Sequence, residues 1–345
     1  MPEITETASP KKKRSKLVTA MTWLVLFMLV PTCGAWVIGR WVYWFDIAAS
    51  HQMLISWVAL CFALMVLSTR RWMIGTGCIA LVAISFYPVI IGRVLVLPAV
   101  DIENKPIGAF RVVSCNINPK NESWREDIAS LSEFDADVIV ILEASPTMSR
   151  AIMKYGFLDS SRYSNWAHRT WVQYQTSPCF ILSRWPIEEI EPSTNPKVLQ
   201  EQLYAKVILE HQQVLVGIAH PLSPRTETRW KSGNKVIHEQ LESIAQLTSD
   251  TNLPLLLCTD LNAGPAQIRG ATLAESGLRM SKPVTRIGGS FPAKRGVPES
   301  LCIQLDDVWS MGEIMPIAWR MFEISGSDHL TVMVDFKFTP SVTVE

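Results

Sequence analysis

Three long apolar stretches near the start of the chain limit how it can fold. Residues 17–39 contain no charged side chain, and residues 47–67 and 73–92 are nearly as apolar. Each stretch is long enough to cross the hydrocarbon core of a bilayer, about 30 Å thick, as a helix. The first is too long for the core of a signal peptide and has no clear small-residue cleavage site. The sequence therefore predicts a retained membrane segment, residues 17–100, with three transmembrane helices.

Charge predicts the orientation of this membrane segment. Residues 1–100 carry nine Lys and Arg against three acidic residues, and the basic ones cluster in the tail 1–16 and at Arg70 and Arg71. Basic loops favour the cytoplasmic side, so the tail is expected to be a disordered cytoplasmic segment. Three spans then place everything after Arg93 outside the cytoplasm, with a bacterial inner membrane as the expected location. If one span were instead a buried or re-entrant helix, the residues after Arg93 would lie in the cytoplasm.

From residue 101 the sequence pattern changes to short apolar runs separated by polar loops that contain Pro and Gly. This pattern predicts a separate α/β domain over residues 101–345 with a core of its own. The chain has a net charge of +0, so this domain carries −6 against +6 in the first 100 residues. That acidic balance weakens the idea of a non-specific nucleic-acid binder.

The seven cysteines show no C-x-x-C spacing, so the sequence indicates neither a zinc site nor a disulfide framework. Whether Cys179 pairs with Cys302 is left open. Helices are predicted over residues 124–134 and 232–247. The basic and aromatic stretch 166–171 is interpreted as an ordinary loop, with the lining of a substrate groove as the alternative.

The domain is organised around the run from Leu253 to Asn262. Its apolar part, bounded by turn signals, is typical of a fully buried strand, and it carries Asp260 and Asn262 to its C-terminal end. A carboxylate can bind a metal or accept a proton, and an amide can hold a phosphoryl oxygen and a water. Asp and Asn also commonly start turns, so taken alone this pair supports either interpretation.

Polar residues recur at the ends of the other predicted strands. Strands predicted over 110–115, 138–142 and 214–219 are each followed by an amide, an acid or an imidazole, and a closing strand is predicted over 330–338. The whole set is Asn116, Glu143, His220, Asp260, Asn262, Asp306, Asp328 and His329. One such residue is uninformative, but independent turn formers are a poor explanation of the set. The pattern favours a shared site.

In this order, the motifs resemble the endonuclease/exonuclease/phosphatase superfamily of metal-dependent phosphohydrolases, in the branch with secreted deoxyribonucleases and neutral sphingomyelinases. The resemblance extends from about residue 108 to residue 340. The motifs are Ser114-Cys115-Asn116, Val138 to Glu143, Ser183 to Ile187, His220, Thr259 to Asn262 and Ser327-Asp328-His329. It implies an α/β (α+β) fold, a four-layer sandwich of two mixed β-sheets flanked by helices, here preceded by the N-terminal transmembrane segment.

The resemblance also implies roles for single residues. His329 is expected to be the general base, oriented by Asp306, and His220 to stabilise developing charge or protonate the leaving group. Asp260 would align the nucleophile and Asn262 would hydrogen-bond the scissile phosphate. The expected metal ligands for Mg²⁺, with Mn²⁺ as an alternative, are Glu143, Asn118 and Asp328; the expected substrate-binding residues are Asn116, Asn262 and Arg225.

Two of these assignments have weak points in the sequence. Asn118 stands where some members of the superfamily carry a second metal-binding Asp, so metal affinity is open to change. Arg225 follows His220 closely enough to reach a phosphate, but it fits a solvated face equally well.

The favoured function is a membrane-anchored Mg²⁺-dependent phosphodiesterase or phosphatase, with the bilayer as partner and nucleic acid or lipid headgroups as substrate. The alternative is a catalytically inactive domain that binds phosphorylated ligands or a partner protein. Loss of Glu143, Asp260 or His329 would support that alternative, and all three are present. A third class is a multi-pass membrane protein with a structural outer domain, against which the polar set at the strand ends counts. The sequence gives no oligomeric state.

Overall fold

A computed structural model describes residues 11–68, 72–93, 97, 104–155, 168–174, 177–190, 202–209, 212–294 and 297–339. The turn at Arg70 and Arg71, the tail before Lys11 and Trp166 lie outside these residues. The chain forms two compact units, residues 1–88 and 89–345. All seven cysteines are in the described residues, and each of them is free.

Apolar helices make up the first unit. They are α1 (Lys11–Cys33), α2 (Ala35–Ile38), α3 (Tyr43–Ala48), α4 (Gln52–Ser68) and α5 (Trp72–Ile90). Helix α1 begins inside the stretch predicted as a tail. By length and composition alone, the helical stretches Tyr43–Ser68 and Trp72–Ile90 are able to cross a membrane, whereas the apolar stretch Thr22–Ile38 is shorter. The number of spans and their orientation stay predictions.

Two mixed six-stranded sheets make up the centre of the second unit. Their strands are β1 (Phe110–Asn116), β2 (Val138–Leu142), β3 (His168–Tyr174), β4 (Ser177–Ser183), β5 (Ile187–Glu189), β6 (Leu203–Ile208), β7 (Gln213–Ala219), β8 (Leu255–Asp260), β9 (Arg279–Met280), β10 (Asp306–Met311), β11 (Ile314–Phe322) and β12 (Thr331–Phe338). One sheet has the order β11-β12-β1-β2-β4-β3 and the other β5-β6-β7-β8-β10-β9. Each has one central parallel pair, β1 with β2 and β7 with β8.

Helices cover the outer face of each sheet. They are α6 (Trp124–Leu131) and α7 (Pro146–Tyr155) on the first sheet, and α8 (Glu227–Thr251) and α9 (Ile268–Glu275) on the second. Because successive side chains of a strand point to opposite faces, β2 contributes to two layers. Val140 and Leu142 pack between the sheets, while Ile139 and Ile141 pack against the helices. The predicted fold class, two mixed sheets flanked by helices, is confirmed.

Some predicted boundaries shift for local reasons. Helix α8 begins well before residue 232 because the Thr226 hydroxyl caps it, accepting a hydrogen bond from Arg229 N at 3.3 Å. The interpretation of residues 168–171 as a loop is wrong, since they belong to β3. This strand lies at the edge of its sheet, paired with β4 only. Its sequence, His168 to Tyr174, mixes charged, polar and aromatic residues and lacks the continuous apolar run that marks a central strand.

A buried ion pair joins β1 to β12. The Arg111 guanidinium contacts the Asp335 carboxylate through two hydrogen bonds of 2.6 and 2.8 Å, and both side chains are almost fully buried. Removing one partner leaves an uncompensated charge, so Asp335→Ala should lower the free energy of unfolding by about 3–5 kcal/mol. Urea unfolding of the full chain in detergent, followed by fluorescence, measures it.

The matched control for this prediction is Lys231→Ala. Lys231 pairs with Glu227 at 2.7 Å, but both side chains are more than 60% exposed, and exposed pairs add little to stability. Equal losses in Asp335→Ala and Lys231→Ala would contradict the assignment of a buried, stability-determining pair.

Candidate active site

The candidate site lies where the carboxyl ends of the parallel strands of both sheets meet. On the first sheet, β1 ends at Asn116 and Glu143 follows β2; on the second, His220 follows β7 and β8 ends at Asp260. Asn116 Nδ2 donates a hydrogen bond of 2.9 Å to Asp260 Oδ2. The two sheets are thus bonded to each other at this edge, which brings together residues that are far apart in the sequence.

Asp260 is the centre of the network, with a side chain that is only 1% exposed. Its Oδ2 lies 3.7 Å from His220 Nε2 and 3.8 Å from His329 Nδ1. Its Oδ1 accepts a hydrogen bond of 2.9 Å from Asn262 N. Burial raises the pKa of Asp260, but the two imidazoles outweigh burial and hold that pKa below its usual range. Asp260 is therefore a carboxylate held between two cationic rings.

His329 and Asp306 form a buried pair beside Asp260. Strands β8 and β10 run antiparallel with Asp306 opposite Asp260, and Asp306 Oδ2 lies 2.8 Å from His329 Nδ1. Burial lowers the pKa of His329, but the charges of Asp306 and Asp260 outweigh this and raise it to about 10. Burial raises the pKa of Asp306, which His329 opposes. The short contact favours the carboxylate–imidazolium form of the pair.

His220 bridges the two sheets on the other side of Asp260. Its Nε2 lies 3.1 Å from Glu143 Oε1. Burial lowers the pKa of His220, but hydrogen bonds with Cys179 and Glu143 and the charge of Asp260 raise it well above its usual value. The Glu143 side chain is 30% exposed, so its carboxylate is open to a ligand from solvent.

Three residues of this network have left-handed backbone conformations. The φ angles are +64° at Asn118, +55° at Glu143 and +49° at Asn262. Such angles are uncommon outside glycine and tend to cluster where a site demands a particular geometry. Hydrogen bonds hold two of them: Asn118 N donates to Asn116 Oδ1 at 3.0 Å, and Asn262 N donates to Asp260.

A comparison with known families identifies this arrangement. Residues 121–329, more than half of the chain, match the endonuclease/exonuclease/phosphatase family. The chain belongs to this family. Members of the endonuclease/exonuclease/phosphatase family are hydrolases that act on phosphoesters, and they commonly use divalent metal ions. A comparison with curated protein sequences gave no significant match.

Several solved structures share the fold. An endonuclease/exonuclease/phosphatase from Beutenbergia cavernae is 17% identical, with a TM-score of 0.52 over 67% of this chain and 72% of its own. The human Nocturnin catalytic domain with bound sulfate anion is 14% identical, with a TM-score of 0.52 over 70% and 96%. The mannosyl-6-phosphatase of Bacteroides thetaiotaomicron is 14% identical, with a TM-score of 0.50 over 66% and 100%. The TM-scores show a common fold at low sequence identity.

In the described part of the chain, contacts within 4 Å join nine of the ten predicted site residues. The nine are Asn116, Asn118, Glu143, His220, Asp260, Asn262, Asp306, Asp328 and His329. Asn118 and Asp328 lie at the edge of the network, where Asn118 Nδ2 donates to Asp328 Oδ1 at 2.9 Å. Arg225 is exposed, in the loop after His220, and none of these contacts includes it.

Sequence reasoning gave no role to the loop that contains Ser290 and Phe291. Ser290 Oγ accepts hydrogen bonds from Leu305 N at 3.1 Å and Asp306 N at 3.0 Å. The Phe291 ring lies 4.9 Å from the His329 ring, centroid to centroid. This loop therefore supports both members of the Asp306–His329 pair, and only the three-dimensional contacts reveal it.

The donor atoms of the site fit a hard divalent cation. One group of mutually close ligand atoms comes from Glu143, His220 and Asp260, and a second comes from Asp260, Asp306 and His329. Carboxylate and amide oxygens are the ligands that Mg²⁺ prefers, and Mn²⁺ accepts them too. Among these donors, Glu143 combines a carboxylate with access from solvent.

Proposed function

We propose that this chain is a divalent-metal-dependent phosphodiesterase. The observation that carries the proposal is the placement of two imidazoles on one buried carboxylate: His220 at 3.7 Å and His329 at 3.8 Å from Asp260 Oδ2. Hydrolysis of a phosphodiester needs one group that accepts a proton from water and one that gives a proton to the leaving oxygen. Two histidines in one site are suited to these two tasks.

His329 is the group that we assign to the attacking water. Its Nδ1 is bonded to Asp306 at 2.8 Å, which fixes the ring and leaves Nε2 as the nitrogen that accepts the proton. Asp306 also stabilises the imidazolium that forms. Asp260 would align the water beside this ring.

His220 is the group that we assign to the leaving oxygen. Its raised pKa keeps the imidazole protonated near neutral pH, as a general acid must be. Asn262 uses one amide N–H for Pro221 O at 3.1 Å, so the second N–H is available for a phosphoryl oxygen. Asn116, on the other sheet, contacts Asp260, the residue to which Asn262 is also bonded.

The metal would be held by Glu143, with Asn118 and Asp328 as further candidate ligands. Bound there, Mg²⁺ or Mn²⁺ would neutralise charge on the phosphoryl oxygens and favour the neutral form of His329, which a general base needs. Asp260 contacts both histidines and Asn116, so the protein itself supplies the alignment of the groups that move protons.

Hydrolysis of bis(p-nitrophenyl) phosphate by the full chain in detergent tests the proposal, with Mg²⁺ and with EDTA. We expect release of p-nitrophenol that needs the metal, and faster release than from the monoester p-nitrophenyl phosphate. No release from a folded chain that does not bind Mg²⁺ would favour the inactive binding domain instead.

Metal binding should be linked to protons. Without a cation, the site keeps both His220 and His329 protonated at neutral pH. His220 keeps its proton as the general acid, whereas His329 must be neutral to act as the base, so binding of the cation should release the His329 proton and tighten as pH rises. Calorimetry of Mg²⁺ binding at one pH, in two buffers of different ionisation enthalpy, should give different heats. Equal heats would contradict the linkage.

We also propose that residues 17–100 anchor the chain in a cell membrane through three spans, with the catalytic part outside the cytoplasm, as in a bacterial inner membrane. Two helices of suitable length and composition support the anchor, and basic flanking residues support the orientation. Activity of an alkaline phosphatase fused after residue 345 would test it, since that reporter works only outside the cytoplasm. Screening DNA, RNA and phospholipids then identifies the substrate class.

A further inference from the structure

Arg269 is a buried arginine at the start of α9, with a side chain that is only 1% exposed. Its guanidinium donates hydrogen bonds to three separate segments of the chain. Nη1 donates to Leu222 O at 2.9 Å and to Leu261 O at 2.8 Å, and Nε donates to Asn234 Oδ1 at 3.0 Å. The planar guanidinium presents these donors in a rigid fork, so it fixes the spacing of the acceptors.

The two carbonyl groups belong to the loops that carry site residues. Leu222 comes two residues after His220, and Leu261 lies between Asp260 and Asn262. A second bond, from Asn262 Nδ2 to Pro221 O at 3.1 Å, joins the same two loops. The loops are therefore tied together twice, once through Arg269 and once directly.

The peptide group between Leu261 and Asn262 is held from both sides. Its carbonyl oxygen accepts from Arg269, and its N–H donates to Asp260 Oδ1 at 2.9 Å. Because a trans peptide is planar, its C=O and N–H point in opposite directions. Fixing the oxygen therefore fixes the N–H that orients the Asp260 carboxylate. The left-handed φ of +49° at Asn262 also depends on such support.

Helix α8 is shaped around the same guanidinium. Asn234 accepts the bond from Nε, and the preceding residue is Gly233. A Cβ atom added at Gly233 would lie 2.2 Å from Arg269 Nη2, far inside the van der Waals distance. A side chain there would push the guanidinium away from α8, so two different substitutions can disturb one contact.

We propose that Arg269 is a positioning residue that sets the distance between His220 and the Asp260–Asn262 segment. This inference rests on the proposed function, because the groups it positions are those assigned to the leaving oxygen and the scissile phosphate. Misplacing catalytic groups by about 1 Å can cost on the order of 100-fold in rate.

The test uses Arg269→Lys in the full chain in detergent, assayed well below its unfolding temperature. Lysine keeps the charge but lacks the fork that spans two carbonyls, so kcat should fall about 10- to 100-fold. Metal affinity should change little, since Glu143 lies on the other sheet. Gly233→Ala should lower kcat in the same direction. If Arg269→Lys does not fold, Asn234→Ala, which removes one of the three acceptors of Arg269, is used for the same measurements.

Arg111→Lys is the matched control, because Arg111 is equally buried but binds Asp335. It should lower the unfolding temperature and leave kcat within about twofold of the wild type. Hydrogen exchange supplies a readout that needs no activity: the amides of His220, Leu222 and Ser223 and of residues 260–264 should exchange faster in Arg269→Lys and not in Arg111→Lys.

The outcomes separate the two proposals. A folded Arg269→Lys chain with wild-type kcat overturns the positioning role, and so does unchanged exchange in both loops. A wild-type chain with no hydrolysis overturns the proposed function; faster exchange of both loops in Arg269→Lys would still support Arg269 as the residue that holds them.

Discussion

Replacing His329 with alanine should lower kcat for phosphodiester hydrolysis by at least about 100-fold, the usual contribution of a general acid or base. Asp306 holds the His329 ring at 2.8 Å and Asp260 lies within 4 Å of it, so the substitution removes the imidazole that these two carboxylates position. The variant leaves both carboxylates in place, and metal binding should therefore persist. Steady-state kinetics with bis(p-nitrophenyl) phosphate, together with calorimetry of Mg²⁺ binding, measure both quantities.

The control for this experiment is His238→Ala, which removes an exposed histidine on α8. It should keep wild-type kcat. Asp306→Asn tests the pair itself: the amide keeps the shape but loses the charge that favours the imidazolium, so kcat should also fall. A fully active His329→Ala chain would show that this histidine is not the base.

Replacing Glu143 with glutamine should weaken Mg²⁺ binding by at least about 100-fold, because changes to groups that merely support a metal ligand already cost about 10- to 100-fold. Glutamine has nearly the same shape, but it removes the negative charge that a hard cation needs. Activity should fall with it at Mg²⁺ concentrations that saturate the wild type. Calorimetry gives the affinity, and a Mg²⁺ titration of kcat gives the activity.

Glu126→Gln is the control. Glu126 is an exposed carboxylate on α6, and it should take no part in binding the metal ion at the site. Excess Mg²⁺ or Mn²⁺ should restore part of the activity of Glu143→Gln if the defect is in binding. Unchanged Mg²⁺ affinity in Glu143→Gln would mean that other donors hold the ion.

The polar strand ends are the part of the site that the sequence revealed. A strand buried on both faces is a continuous apolar run, so an acid or amide at its end stands out, as Glu143 does after Val138–Leu142. The carboxyl ends of parallel neighbours meet at one edge of each sheet, which brings Asn116, Glu143, His220 and Asp260 together. Asp306 and His329 reach the same edge because they lie at or just before the starts of the antiparallel strands β10 and β12. Their chemical roles are proposals that the geometry supports.

The supporting residues left no such signal. Arg269 lies in a short helix, α9, and its three acceptors lie 8, 35 and 47 residues away in the sequence, so no local pattern predicts its contacts. Ser290 Oγ accepts a hydrogen bond from the backbone N–H of Asp306, 16 residues away, and a serine at that distance gives no sign of its partner. Strand β3, at the edge of its sheet, was missed for a related reason: half of its backbone pairing is open to other contacts.

The position of β12 has a consequence for how the protein becomes active during synthesis. This strand pairs with β1 in the middle of the first sheet, and Asp328 and His329 immediately precede it. Ser327 Oγ donates to Asn116 O at 2.6 Å across 211 residues of sequence. A nascent chain that already carries Glu143, His220 and Asp260 therefore lacks the histidine that completes the site until residue 329 has been added. We expect the ribosome-bound chain to be unable to cleave phosphodiesters until its last sheet strand has been inserted.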